Sequence, residues 1–150
     1  MQLSKHFSLE EFTRSERAEA LEILNEPAPE DLENLIVFCQ DIMEPLRELT
    51  GVPISISSGY RCPDLNDEVG GSHSSYHVSG LAADIHAVGL TPLELARLLD
   101  HADIPYDKMI LEFGRWVHIQ GPRPGNIPRR QSLTARRTDG ETEYVLGVHG

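Results

Sequence analysis

The alternation of apolar and polar positions opens with a short helical signal. Ser8-Leu9-Glu10-Glu11 has the form of a capping box, in which Ser8 accepts from the Glu11 amide and Glu11 reaches back. Phe7 and Phe12 stand where a hydrophobic staple would close over that cap. A first helix is predicted to follow through the charged stretch ERAEALE and to stop in the proline-containing segment 25–29. Leu32, Leu35, Ile36, Cys39, Ile42, Met43 and Leu46 then recur at three- and four-residue spacing. That is one core-facing stripe on a helix of about four turns. Pro29 suits its first turn. Pro45 should kink or weaken its last turn, and Gly51 closes it.

Beyond Gly51 the period changes from helix to strand. Residues 52–57 alternate, with Val52, Ile54 and Ile56 on one side, as a half-buried strand does. Ser58-Gly59-Tyr60-Arg61 leaves that strand, and Pro63 opens a short helix through Val69. Gly70-Gly71 ends the helix and begins a loop rich in Ser, His and Gly. Residues 81–86 read as a second strand, with Ala82, Asp84 and His86 on one face and Ala83 and Ile85 on the other. Thr91-Pro92-Leu93-Glu94 is another capping box, and its helix runs to about His101. Residues 108–113 place Met109, Leu111 and Phe113 opposite Ile110 and Glu112. After Gly114, residues 115–120 return with Trp116 and His118 on one face. The resulting hairpin carries Glu112 close to His118.

From Gly121 the character shifts. PRPGNIPRR reads as an extended connector, and residues 132–136 and 143–146 flank Asp139-Gly140 as the arms of a hairpin would. The expected division is a domain over 1–122 and an extended tail over 123–150. The tail is read as a peripheral hairpin, an arm onto a virion or assembly partner, or partly disordered. Its arginines (Arg123, Arg129, Arg130, Arg136, Arg137) against an acidic body favour the assembly contact.

Composition narrows the class. The 150 residues are 39% apolar and 25% charged, as in a soluble globular domain. A net charge of −11 argues against a nucleic-acid partner and against adhesion to an anionic membrane. No apolar run is long enough to span a bilayer. MQLSKHFSLEEF has no apolar h-region, so the expectation is synthesis in a cytoplasm without a signal peptide. The two cysteines are too few for a disulfide framework. Cys39 lies on the apolar stripe as a small hydrophobe, and Cys62 reads as a semi-buried free thiol. Without a Cys-x-x-Cys pair, any zinc site must use histidine and carboxylate.

Such a site is spelled out in SSGYRCPDLNDEVGGSHSSYHVSGLAADIH, residues 57–86. His77 and Asp84 stand seven apart, separated by Gly80, which lets the chain turn back sharply. His118 follows inside the apolar run Trp116-Val117-His118-Ile119, where an imidazole without a partner would be costly. His77, Asp84 and His118 supply three ligands and leave a fourth position open, which is how a catalytic zinc is held. His86 shares a face with Asp84 and is the rival ligand, ranked lower because it lies at the strand end. His73 reads as exposed, and His6, His101 and His149 as ordinary polar residues. Glu112 is the candidate general base for a zinc-activated water, against the competing reading of a surface glutamate near a turn. Arg61 is read as facing the same cleft, where a guanidinium can bind a substrate carboxylate or a developing oxyanion. Ser75 can hydrogen-bond substrate backbone, and Tyr76 is grouped with it on the substrate side.

The residues FSLEEF, PLRE, SGYRCPDLN, VGGSHSSYHVSGLAADI and WVHI together resemble the zinc D-Ala-D-Ala metallopeptidase family, from about Phe7 to Pro122. The resemblance looks closest to the small branch common in phages and prophages. It implies an α+β fold in which helices pack on a small antiparallel sheet and zinc lies in a groove on that sheet, as in hedgehog domains. It implies one zinc per chain on His77, Asp84 and His118, with Arg61 as the substrate-binding arginine and Ser75 as the substrate-contacting serine. Several members carry a catalytic acid or histidine three residues before the last ligand. Here that position is Arg115, so the role moves to Glu112. The activity implied is hydrolysis of peptidoglycan stem peptides, as a D-Ala-D-Ala carboxypeptidase or an L-Ala-D-Glu-type endopeptidase. An enzyme of this kind would be released by a holin or carried in a phage particle. The alternative is a zinc-stabilised, non-catalytic structural or binding module of such a particle.

Overall fold

The computed structural model describes residues 1–150. Its N-terminal capping box forms as the sequence predicts: the Ser8 side chain accepts from the Glu11 N–H, and Glu11 accepts from the Ser8 N–H. The helix it starts is shorter than expected. α1 (Leu9–Thr13) ends at Arg14, which is extended, and the Ser15 side chain then caps α2 (Glu16–Ala20). A serine that can accept from the Ala18 N–H offers the backbone a fresh start, and the chain takes it. Asn25 locks the return: its amide donates to the carbonyls of Thr13 and Tyr60 and accepts from the Cys62 N–H.

The apolar stripe forms α3 (Pro29–Phe38) and α4 (Glu44–Thr50), joined by a π-helical turn over Cys39–Met43. Pro45 has no N–H for the Asp41 carbonyl and would crowd it. The wider turn just ahead lets the helix pass the proline without breaking. Gly51, with φ of 67°, ends it.

A six-stranded sheet follows, in the order β1-β2-β4-β3-β5-β6. The strands are β1 (Ile54–Ser58), β2 (Ala82–Ala87), β3 (Lys108–Glu112), β4 (Trp116–Gln120), β5 (Gln131–Thr138) and β6 (Glu141–Leu146). Two further helices, α5 (Pro63–Glu68) and α6 (Pro92–His101), connect them. The fold is α+β, but the sheet is mixed and not wholly antiparallel, because β5 runs parallel to β3. The reason is topological. The chain leaves β4 at Gln120, beside the start of β3, and must therefore enter β5 from that same end. Residues 131–146 are thus a hairpin built into the sheet, turning at Asp139 and Gly140 with φ of 51° and 80°. Two successive positive φ values are what a two-residue hairpin turn with the twist of the strands requires.

One face of the sheet is covered by helices. Leu35, Phe38, Ile42, Met43, Leu46, Leu95 and Leu99 pack there against Ala83, Ile85, Met109, Leu111, Val117 and Ile119, all buried. Each large side chain so buried contributes about 1.5–3 kcal/mol relative to exposure. Phe7 and Phe12 meet edge to face at 6.2 Å and close the N-terminal corner. Phe113 does not extend the Met109–Leu111 face: with φ of 55° it belongs to the β3–β4 turn, packed at 6.2 Å on Trp116. Both cysteines are free and buried, and burial pushes the Cys39 thiol far above its ordinary range. No helix is long and apolar enough to cross a membrane.

Candidate metal centre

The uncovered face of the sheet carries the chemistry. Strand alternation brings Asp84, His118 and Gln120 to that side, and β2 pairs with β4 so that Asp84 lies directly opposite His118. On the other flank of β4, Ile110 is the partner of His118 and Glu112 that of Trp116. These residues floor a groove of about 400 Å³, walled by the 71–77 loop and Arg61.

His77 comes from that loop. The loop turns back at Gly80, where φ is 74° and an added Cβ would stand 2.4 Å from the Asp31 carbonyl. Only glycine fits both the conformation and the space. His77 is 3% exposed, and its Nδ1 lies 2.7 Å from the Gly59 carbonyl. A carbonyl can only accept, so Nδ1 carries the hydrogen and the Nε2 lone pair faces inward. The Arg61 N–H donates to the His77 carbonyl, which stitches the loop to the end of β1.

The donor atoms of His77, Asp84 and His118 all lie within 4.8 Å of one another. Asp84 Oδ1 stands 3.6 Å from His77 Nε2 and 3.1 Å from His118 Nδ1. His118 Nε2 donates to Gln120 Oε1 at 2.9 Å, which leaves Nδ1 for the centre. Each imidazole thus gives its outer N–H to an oxygen and turns its inner nitrogen to the shared point, as metal-binding histidines do. Two nitrogens and one carboxylate oxygen, with the groove open on the remaining side, fit a divalent metal of the zinc type.

The electrostatics agree. Burial would raise the Asp84 carboxyl, but in the metal-free protein His118 and His77 donate to it when protonated on the facing nitrogen, and this outweighs burial and holds the group well below the ordinary carboxylate range. Burial pushes His77 down, against the pull of Asp84. Burial would also lower His118, yet its hydrogen bond to Asp84 and that residue's charge raise it above the ordinary histidine value. Two histidines around one carboxylate are thereby driven apart, and a cation replacing the proton between them satisfies all three.

Around the donors, Glu112 lines the groove, and burial raises its carboxyl above the ordinary glutamate value, with the nearby His118 opposing. Arg61 reaches the same groove with its Nε buried and unpartnered, and burial lowers it against the attraction of Asp84. A second cavity of about 440 Å³, towards β1, shares Arg61 and Asp84 with the groove. Ser75 and Tyr76 also line the groove; the Ser75 hydroxyl accepts from the His77 N–H, and the Tyr76 ring lies 4.3 Å beneath the Arg123 guanidinium.

The remaining histidines stand apart. His86 is exposed, its Nε2 3.1 Å from the Arg115 carbonyl, and it does not join the cluster. His73 is exposed in the loop. Arg115 lines a different cavity, on the β5 side. Sequence reasoning missed Gln120 and the Gly59 carbonyl. Alternation does put Gln120 on the His118 face, so its proximity was there to be read. Nothing local marks a backbone carbonyl as a support.

No curated protein matches the chain. Residues 5–120 match the model of a family described as Peptidase M15. That span covers well over half of the chain and encloses every donor of the cluster, and the chain therefore belongs to the peptidase M15 family.

Proposed function

We propose that this chain binds one zinc ion through His77 Nε2, Asp84 Oδ1 and His118 Nδ1 and hydrolyses a peptide bond in peptidoglycan stem peptides. The observation that carries this reading is the convergence of three donors, each imidazole backed by its own acceptor, in a groove open to substrate. A zinc ion in such a site supplies Lewis acidity, lowering the pKa of water to about 7 and polarising a carbonyl. The protein's own groups do the rest. The Glu112 carboxylate takes a proton from the attacking water and returns it to the leaving amine. In the metal-free protein burial raises its carboxyl above the ordinary glutamate value, the direction that favours taking up a proton. Arg61, whose Nε has no partner within the protein, offers its guanidinium to a substrate carboxylate or to the developing oxyanion. Ser75 and Tyr76 border the bound peptide on the loop side. The cavities on either side of Arg61 and Asp84 leave room for residues flanking the cleaved bond. A phage-encoded wall-lytic enzyme is the setting this reading favours.

The test is mass spectrometry of defined muropeptides incubated with zinc-loaded protein, with a chelator control. A chelator-sensitive product supports the reading, and its mass distinguishes D-Ala-D-Ala from L-Ala-D-Glu cleavage. No product from protein holding one zinc per chain would overturn the peptidase and favour a non-catalytic module. Glu112→Ala should lower turnover by about 10²–10⁴-fold while zinc content stays unchanged. A variant that cuts as fast as the parent would remove Glu112 from the mechanism.

A further inference from the structure

The hydrogen bond behind His118 does not stop at Gln120. The Gln120 amide nitrogen donates to Asp107 Oδ2 at 3.3 Å. A carboxylate only accepts, so this contact fixes the amide with its NH2 towards Asp107 and its oxygen towards His118. Asp107 is held in turn by Arg129. Oδ1 accepts from the Arg129 backbone N–H at 3.2 Å and from Nε at 3.1 Å, and Oδ2 accepts from the terminal guanidinium nitrogen at 2.7 Å. Asp107 is 3% and Gln120 5% exposed, so neither has water as a ready substitute partner. Arg129 lies outside residues 5–120, the span that matches the family.

We propose that Gln120, Asp107 and Arg129 form a positioning relay that holds His118 in the tautomer protonated at Nε2, so that Nδ1 is presented to the metal. Without the Arg129 fork, Asp107 keeps only the backbone N–H of residue 129 on Oδ1, its Oδ2 loses the guanidinium that fixed it, Gln120 can flip its amide, and the flipped NH2 would face Nε2. His118 would then favour the tautomer protonated at Nδ1, which cannot ligate from that nitrogen. The connector between β4 and β5 is thereby part of the metal centre. Arg123 supports the same view from the other side, donating to the Ser79 hydroxyl and the Ser74 carbonyl in the loop that carries His77.

The relay rests on the metal-binding half of the proposed function and not on peptide hydrolysis, so its tests use no activity. Long-range proton–nitrogen NMR of the zinc-loaded parent should show His118 protonated at Nε2 and ligated at Nδ1. Chelator competition should show zinc affinity falling about 10–100-fold in Arg129→Ala and in Gln120→Leu, the usual cost of losing such support. Arg129 is half exposed, so Arg129→Ala remains informative where the buried Gln120→Leu does not fold. Arg130→Ala is the control. Arg130 also ties the connector down, stacking on Tyr106 at 4.4 Å and donating to the Ile104 carbonyl at 3.1 Å, but makes no hydrogen bond or ion pair with the Asp107 carboxylate. It should lose thermal stability yet keep zinc affinity within about twofold of the parent, below the cost of a lost support. The relay is overturned by a His118 ligated through Nε2, by Arg129→Ala binding zinc as tightly as the parent, or by Arg130→Ala weakening zinc equally. A parent that binds no zinc overturns the metal centre itself. One that binds zinc and cuts nothing overturns only the peptidase.

Discussion

On β2 and β4, the residues that point to the helices are Ala83, Ile85, Val117 and Ile119; those that point to the groove include Asp84, His118 and Gln120. The same alternation builds both faces, and a slip of one residue in register would exchange them. What holds each face is different. The helix side depends on burial, which is non-directional and tolerates swaps that conserve volume. The groove side depends on hydrogen bonds with fixed donors and acceptors, where a change of one atom reverses a contact. The helix side should therefore answer for stability and the groove side for the metal.

The sharpest break of that contrast is His118→Ala. Its zinc affinity should fall by well over the ~10–100-fold that a lost supporting bond costs. Elemental analysis of the purified variant is the check. Equal zinc in parent and variant would remove His118 from the ligand set and promote His86, exposed on the same side of β2. On the opposite side, Leu99→Ala removes a side chain with no solvent exposure and should cost about 2–5 kcal/mol of unfolding free energy. Below its lowered melting temperature it should still hold one zinc per chain. Zinc lost from folded Leu99→Ala would mean that the faces are not separable.

The helix side was largely legible because its signals are local. Both capping boxes, Ser8 with Glu11 and Thr91 with Glu94, are visible in four-residue windows and form as predicted. Asp84, His118 and Glu112 all line the one groove, and alternation within each strand puts them on positions that can face it. The gaps have physical reasons. The break before α2 needed Ser15 to outcompete helix continuation, a contest between two serine caps that the pattern alone does not decide. The π turn accommodates Pro45, but no residue within 39–43 marks a wider turn locally, and the apolar spacing there reads as continuous helix. The parallel pairing of β3 with β5 depends on where a distant connector re-enters the sheet. The support of His118 runs through Asp107 and Arg129, which are remote from it in sequence and joined only by folding.

Gly59 is where the two faces touch. An added Cβ there would stand 2.6 Å from the Phe12 carbonyl and 2.7 Å from its Cα. That backbone belongs to α1, which is fixed by the Phe7–Phe12 corner, so Gly59 must yield. Its own carbonyl is the acceptor for His77 Nδ1. Gly59→Ala should cost about 1–3 kcal/mol by overpacking and also weaken zinc binding by displacing that carbonyl. Thermal melts with and without zinc separate the two effects. A stability loss with unchanged zinc affinity would show that His77 does not need the Gly59 carbonyl.

The smallest effect sought is the pH dependence of zinc stabilisation, and its sign follows from His118. In the metal-free protein His118 has its pKa raised, chiefly by Asp84 acting against burial. A histidine raised on folding contributes stability that is fully present below its unfolded pKa and is lost as pH rises through the folded one. Asp84 is depressed, so its contribution persists above the ordinary aspartate range and fades only in acid. His77, lowered by burial, titrates below the ordinary histidine value and stays neutral above it. Around and above the ordinary histidine value, the proton on His118 is therefore the one that zinc must displace. The rise in melting temperature on adding zinc should grow with pH until His118 is deprotonated and then level off. The slope should not exceed about 1.4 kcal/mol per pH unit, the value for a single proton. Leu99→Ala should shift melting temperatures at every pH and leave that slope intact. His118→Ala should abolish it. A slope that survives His118→Ala would assign the displaced proton to another group.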